Sequence, residues 1–353
     1  MPTLKAQFSC INSRPVAYSK RINAHSPQEK AGTSLTRAGA FTLSLLSAPI
    51  NAVVLDRLEE GPRSLTELRG ATAASAATMR RHLRKLSELG VLEGRHENDY
   101  PGSVHYELAT PGHELAGVAA VVRGWLAIAP GGAIDLGSAA ARNAIKALVG
   151  GWETGMLRAL AARPLSLTEL DRLIPDVSYP SLERRLAALR LTRQIKRAPS
   201  EGGGTPHAVT DWLRRAVVPI TAAVRWEAVR ARGTTAHVTN RDIETGFLLS
   251  LPLLRLPGEL SGSCRLAVEF AHNNGQRHAG ILIHLEQGRV VSCVSRLEGS
   301  PDSWALGSAG SWMSAVLEHD FSQLEMGGDS ALASTLLDRL HGALYLRPPA
   351  VAP

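Results

Sequence analysis

The feature that most limits what this chain can fold into is an internal repeat. The pentapeptide Ser64-Leu-Thr-Glu-Leu68 recurs unchanged as Ser166-Leu-Thr-Glu-Leu170 in a chain of 353 residues. Self-similarity of this kind predicts a duplicated supersecondary unit. The surroundings repeat as well. Ahead of each copy lies an amphipathic helical pattern, over 50–60 and over 152–162, ending in the proline turns Gly61-Pro62 and Arg163-Pro164. Behind each comes a short gap and another helix, which starts at Ser75 in the first copy and at Ser178 in the second. Two extended stretches follow, 91–95 and 104–108 around a turn at 98–102, then 194–197 and 207–210 around the glycine-rich segment 201–205. A closing helix ends each unit.

Helix, helix, helix, hairpin, helix is the order of a winged helix-turn-helix, and its third helix carries the chemistry. Ser75 is placed to cap the free amides at that helix start. At about 100° per residue, Met79, Leu83 and Leu86 share one face, and Arg80, Arg81, Arg84 and Lys85 lie nearly opposite. A cationic face on a short helix, held by apolar packing behind it, suits entry into a major groove. Thr78, near the helix start, is positioned for base edges, and Arg95 and His96 lie on the wing. The same cations on a solitary helix would read as a solvated face; the surrounding helix order is what favours DNA. In the second copy Leu182, Leu186 and Leu189 form the buried stripe, with Ser178, Ser181, Arg184 and Arg185 on the helix and Lys196 and Arg197 on the wing. Glu183 weakens its positive face, and Ala187 and Ala188 replace two of the cations. Two readings stay open: weaker DNA contact, or a dimerisation partner for the first copy.

Charge is uneven along the chain. Residues 240–353 hold 8 Lys and Arg against 12 Asp and Glu, whereas residues 1–239 hold 31 against 20. Phosphate backbones attract only the basic part. The break falls near residue 235, beside a linker over 233–240, and a second connector, rich in Gly and Pro, spans 129–137. Residues 1–34 are polar, basic and aperiodic, and read as a disordered arm. The boundaries that follow are 35–130 and 145–232 for the two winged units and 240–346 for a third domain.

Both repeats resemble the HxlR family of winged-helix regulators, near the MarR type. The resemblance is carried by Leu65-Thr-Glu-Leu68, by the run from Ser75 to Leu92, by the run from Val104 to Leu115 and by Val122-Arg-Gly-Trp125. In the second copy it rests on Gly150-Gly-Trp152, Leu167-Thr-Glu-Leu170, Val177-Ser178, Arg184-Arg-Leu186 and Val224-Arg-Trp226. It implies a homodimer that places two recognition helices on a palindromic operator. Two copies in one chain imply instead an intramolecular pseudo-dimer, with a homodimer of whole chains left open. Cysteine sensing near the first helix, known in some members, has no residue to use, because no cysteine lies between Cys10 and Cys264.

From Asn240 onward the pattern alternates. The stretches 264–270, 279–285 and 289–294, with a turn at Glu286-Gln-Gly288, read as antiparallel strands, and helices follow over 308–317 and 330–344. This part resembles the sterol carrier protein type 2 family through that hairpin, Pro301-Asp302 before Trp304, Trp312-Met313 and Gly327-Gly-Asp329. The resemblance implies a sheet and helices around an apolar tunnel, with ligand-facing residues among Phe247, Leu251, Leu254, Phe270, Ile283, Trp304, Trp312, Met313, Phe321, Met326 and Leu336. The plain alternative is that most of these fill a core.

The expected fold class is therefore α+β: two mainly helical winged units, then an antiparallel sheet and helices with an apolar tunnel. Three scattered cysteines give neither a disulfide framework nor a zinc site. His272, His278 and His284 recur every six residues and share no helical face, so no metal is expected. Nucleotide loops, hydrolase elbows and zinc-protease motifs are not found, and neither an enzyme nor a cofactor is expected. No apolar run reaches the roughly 18 residues of a membrane span, and the first residues lack a signal-peptide core. The expectation is a cytoplasmic, nucleoid-associated bacterial regulator that binds operator DNA and senses a hydrophobic effector. The rival reading is a sequestration or resistance protein that captures a hydrophobic compound and uses the winged units as scaffold.

Overall fold

The computed structural model describes residues 39–96, 104–199, 204–230, 238–272, 275–294 and 299–345. The basic arm expected over 1–34, the turn at 98–102, most of the segment 201–205 and most of the linker over 233–240 lie outside the described residues.

The first segment runs α1 (Ala40–Leu46), α2 (Pro49–Glu59), β1 (Arg63–Ser64), α3 (Leu65–Gly70) and α4 (Ala76–Glu88), then β2 (Leu92–His96), β3 (Val104–Leu108) and the long helix α5 (Thr110–Ala127). β3 lies between β1 and β2 in a three-stranded sheet. The repeated pentapeptide has a local physical job. Ser64 Oγ accepts from the Glu67 amide while the Glu67 carboxylate accepts from the Ser64 amide at 2.7 Å. Ser166 and Glu169 repeat this reciprocal cap, satisfying backbone donors that a helix start otherwise leaves unpaired. Together with Arg163 it holds the Glu169 carboxyl down at about 2.

The second segment contains α6 (Ala139–Glu153), α7 (Met156–Ala162), α8 (Leu167–Leu173), α9 (Tyr179–Leu191), β4 (Ile195–Arg197), β5 (His207–Val209), α10 (Asp211–Arg214) and α11 (Val217–Arg230). The continuous helix expected over 152–162 is instead broken at Thr154-Gly155. Gly155 adopts φ 72°, a left-handed conformation that stops α6 and starts α7 in a new direction.

The third segment comprises α12 (Asn240–Ser250), a 3-10 turn at Leu251–Leu253, β6 (Gly262–His272), β7 (Gly275–Glu286), β8 (Arg289–Val294), β9 (Ser303–Ser308), α13 (Ala309–Glu318), β10 (Glu325–Gly328) and α14 (Ser330–Tyr345). The sheet order is β10-β9-β6-β7-β8. It is not wholly antiparallel as expected: β9 runs parallel to β6, with Cys264 opposite Ser303 and Leu266 opposite Ala305. β9 lies on the side of β6 away from β7 and β8, and a parallel neighbour of this kind needs a crossover connection rather than a tight hairpin. Cys264 and Cys293 are not on adjacent strands, because β7 separates them and both pair with Ile283. Cys264 is buried, and burial raises its thiol to about 11.

One continuous apolar cluster extends from Leu43 to Leu344 through all three segments. In the first, Met79, Leu83 and Leu86 of α4 are 0–1% exposed, as the helical spacing predicts. Helix α5 packs along α11. Trp125 and Trp212 stack at 4.6 Å, each indole N–H donating to the other's backbone carbonyl at 2.9 and 2.8 Å. The Glu227 carboxylate on α11 accepts from the amides of Gly39 and Thr42 at the start of α1, at 2.7 and 2.8 Å. Arg230 pairs with Glu114 between α11 and α5. Among the described residues no single helix is long and apolar enough to cross a membrane.

Candidate nucleic-acid interface

Three anchors orient α4. Its apolar stripe sits in the core. Ser75 Oγ accepts from the Thr78 amide at 3.2 Å. On its flank, His82 Nδ1 lies 2.8 Å from Asn51 Oδ1, and Asn51 Nδ2 donates to the Leu45 carbonyl at 2.8 Å. Burial first, and then Arg81 and Lys85, hold His82 below its ordinary value of 6.5. The opposite face carries Arg80, Arg81, Arg84 and Lys85, all exposed. Arg81 and Arg84 make no hydrogen bond or ion pair among the described residues. Lys85 lies 5.8 Å over the Phe41 ring. This is a cationic ridge on a seated helix, which is what contact with a polyanion requires.

Other expected contact residues are placed less freely. Thr78 Oγ1 accepts from Ser75 Oγ at 3.0 Å. Arg95 pairs with Glu107 across β2 and β3 at 2.6 Å, although its side chain remains 76% exposed; the side chain of His96 lies outside the described residues. On α9, Ser178 makes no side-chain cap bond, and Ser181 Oγ accepts from Arg184 at 3.4 Å and from Arg185. Helix α9 packs on α6. Arg184 and Arg185 line a cleft of about 1240 Å³, together with Arg142 and Lys146 of α6 and Arg193 just past the end of α9. The second set of cations thus borders a cleft, whereas the first forms a projecting ridge. Lys196 and Arg197 on β4 are exposed.

The eleven apolar residues expected to face a ligand separate. Phe247, Trp312 and Met313 line one apolar cavity of about 120 Å³. Leu251 borders a different one, of about 310 Å³, beside β8. Leu254, Ile283 and Leu336 are buried in the core. The indole of Trp304 lies against Gly327, where an added Cβ would come within 2.5 Å of the ring. Phe321 is half-buried, edge-on to His319, and Met326 is at the surface. The side chain of Phe270 lies outside the described residues.

The walls of the 120 Å³ cavity include residues that the sequence reading missed. Trp152 comes from α6, Ile220 and Val224 from α11, and Leu340 from α14. The cavity therefore lies between the second and third segments. On α11, Val224 faces the cavity and Glu227, one turn further, holds the start of α1. The α-carbon of Gly39, with φ 85°, leaves room for a Cβ only 3.2 Å from both the Ile220 carbonyl and Val224. The cavity wall and the first segment thus touch through one helix. The single local signal that could have suggested this is the apolar character of α11, which ordinary core packing also explains.

No curated protein matches the chain. Residues 45–95 match the family model described as a helix-turn-helix domain. This stretch runs from the end of α1 into β2, and the exposed ridge of α4 accordingly belongs to a helix-turn-helix DNA-binding domain.

Proposed function

We propose that this protein is a transcription regulator of the HxlR type, in which α4 enters the major groove of operator DNA and the second segment is a divergent winged unit. The observation that carries the reading is the exposed ridge Arg80, Arg81, Arg84 and Lys85 on a helix fixed by its buried stripe and by His82. The packing of α5 on α11, with the Glu227 and Arg230 contacts, supports an intramolecular pseudo-dimer of the two units. Its recognition helices are unequal, so an imperfect operator half-site is expected on the α9 side. The third segment is read as a sterol-carrier-like effector domain, and an apolar molecule bound there acts on DNA affinity through α11. Affinity changes only as far as the molecule distinguishes the DNA-bound arrangement from the free one. A cytoplasmic bacterial regulator without enzymatic activity is the setting this reading implies.

The test is gel retardation and footprinting of the full chain on DNA upstream of its own coding sequence. Binding that weakens steeply with salt, on one asymmetric site per chain, is expected. No retardation would overturn the reading, and a strictly symmetric site filled by two whole chains would overturn the pseudo-dimer. A capture protein using these units as scaffold would show no salt-dependent DNA binding.

A further inference from the structure

A gap in helix α12 points to the chemistry of the effector. Gly246 is interior to α12 and contributes to the wall of the 120 Å³ cavity, and a Cβ built on it would meet no atom within 4 Å. Glycine inside a helix is unfavourable relative to alanine. Here it leaves apolar space unfilled between α11, α12 and α13, where a larger side chain would fit.

The polar side chains around that space are already hydrogen-bonded, to backbone carbonyls or to one another. Ser250 Oγ donates to the Gly246 carbonyl at 2.9 Å, and Thr221 Oγ1 to the Val217 carbonyl at 2.8 Å. The Trp152 indole donates to Asp242 Oδ1 at 2.8 Å, and Thr239 donates to Asp242 Oδ2 through both its amide and its hydroxyl. Trp312 Nε1 is committed to the Ala267 carbonyl at 2.8 Å. A charged or strongly polar head placed inside the cavity would have to break one of these pairings. An apolar cavity of about 150 Å³ is known to accept benzene and to stay dry when empty. The present cavity is somewhat smaller and opens at one side.

We infer that this cavity is a binding site for a compact, uncharged, apolar molecule of about one ring, and that Gly246 keeps it open. This specifies the effector of the regulator proposed above and rests on that reading only for the consequence of binding. Fatty acids and sterols have bodies larger than about 120 Å³, so the site is not expected to enclose them.

The test titrates benzene, and separately sodium myristate, into the full chain by calorimetry, with the melting temperature followed in parallel. Saturable benzene binding is expected, with no displacement by myristate. Gly246→Leu should raise the melting temperature without ligand and weaken benzene binding at least about tenfold. Gly246→Ala, which adds one methyl, should give a smaller change in the same directions and serves if the leucine variant does not fold. Failure of benzene to bind, or binding indifferent to both substitutions, would overturn the inference. Myristate binding that Gly246→Leu abolishes would overturn the ligand class. The DNA arm is separate: benzene that binds without altering retardation leaves the site standing and refutes its coupling to DNA. Intact DNA retardation without benzene binding refutes the site and leaves the regulator reading in place.

Discussion

Arg81→Ala combined with Arg84→Ala isolates the ridge from the rest of the protein. Both side chains are exposed and make no hydrogen bond or ion pair among the described residues, and alanine favours a helix, so the fold should be unaffected. Lys85 is left in place because its contact with Phe41 would add a packing loss. Each cation that neutralises one duplex phosphate contributes about 0.9 to the slope of log affinity against log salt, so the double variant should lower the slope by about 1.8. Scaled from 1 M to roughly 0.15 M salt, that is about 30-fold weaker binding, or ~2 kcal/mol. Fluorescence anisotropy of a labelled operator duplex across a salt series measures it, with urea unfolding as the control for folding. An equal loss on operator and unrelated duplex identifies phosphate contacts; a greater loss on the operator identifies a base-reading arginine. A slope identical to wild type, with folding intact, would refute the assignment of α4 to the groove.

Three further outcomes follow from the packing. Glu227→Ala removes the buried acceptor of two amides at the start of α1 and should cost about 3 kcal/mol in urea unfolding, with Glu227→Gln losing less. Burial holds His82, His207 and His341 below their ordinary value of 6.5. The unfolded chain therefore binds more protons than the native one as pH falls through 6.5, and stability is lost on that side; the urea midpoint should be level above about pH 7 and decline below it, the decline shrinking when all three become Gln. In α5, a Cβ at Gly112 would come 2.3 Å from the Val91 carbonyl, whereas one at Gly117 would meet nothing within 4 Å. Gly112→Ala should therefore destabilise by roughly 1–3 kcal/mol and Gly117→Ala stabilise by roughly 0.5–1 kcal/mol; opposite melting shifts of the two check this, and equal shifts would refute it.

What a short stretch of sequence decides is clear in α4. The spacing of Met79, Leu83 and Leu86 sets its buried face, and therefore which side Arg80, Arg81, Arg84 and Lys85 present, because helix geometry alone relates the two. The repeated Ser-Leu-Thr-Glu-Leu likewise carries its own reciprocal cap, and a reading alert to the Ser-x-x-Glu spacing could have named the helix starts from it. Hairpins with alternating residues were legible for the same local reason.

Contacts between distant residues were not legible. Arg95 looks like a free wing cation until strand register sets His105 opposite it and brings Glu107, diagonal to it on β3, within ion-pair distance. Glu227 resembles a solvated helix carboxylate until α11 lies beneath the start of α1. The apolar residues 247–344 could not reveal a cavity whose other wall is Ile220 and Val224, because nothing in the third segment encodes what packs against it. The chain by itself determined which residues are apolar, cationic or capping along each element. Only the tertiary structure decided which faces meet, since register and helix docking depend on the shape of the whole core rather than on any one segment's periodicity.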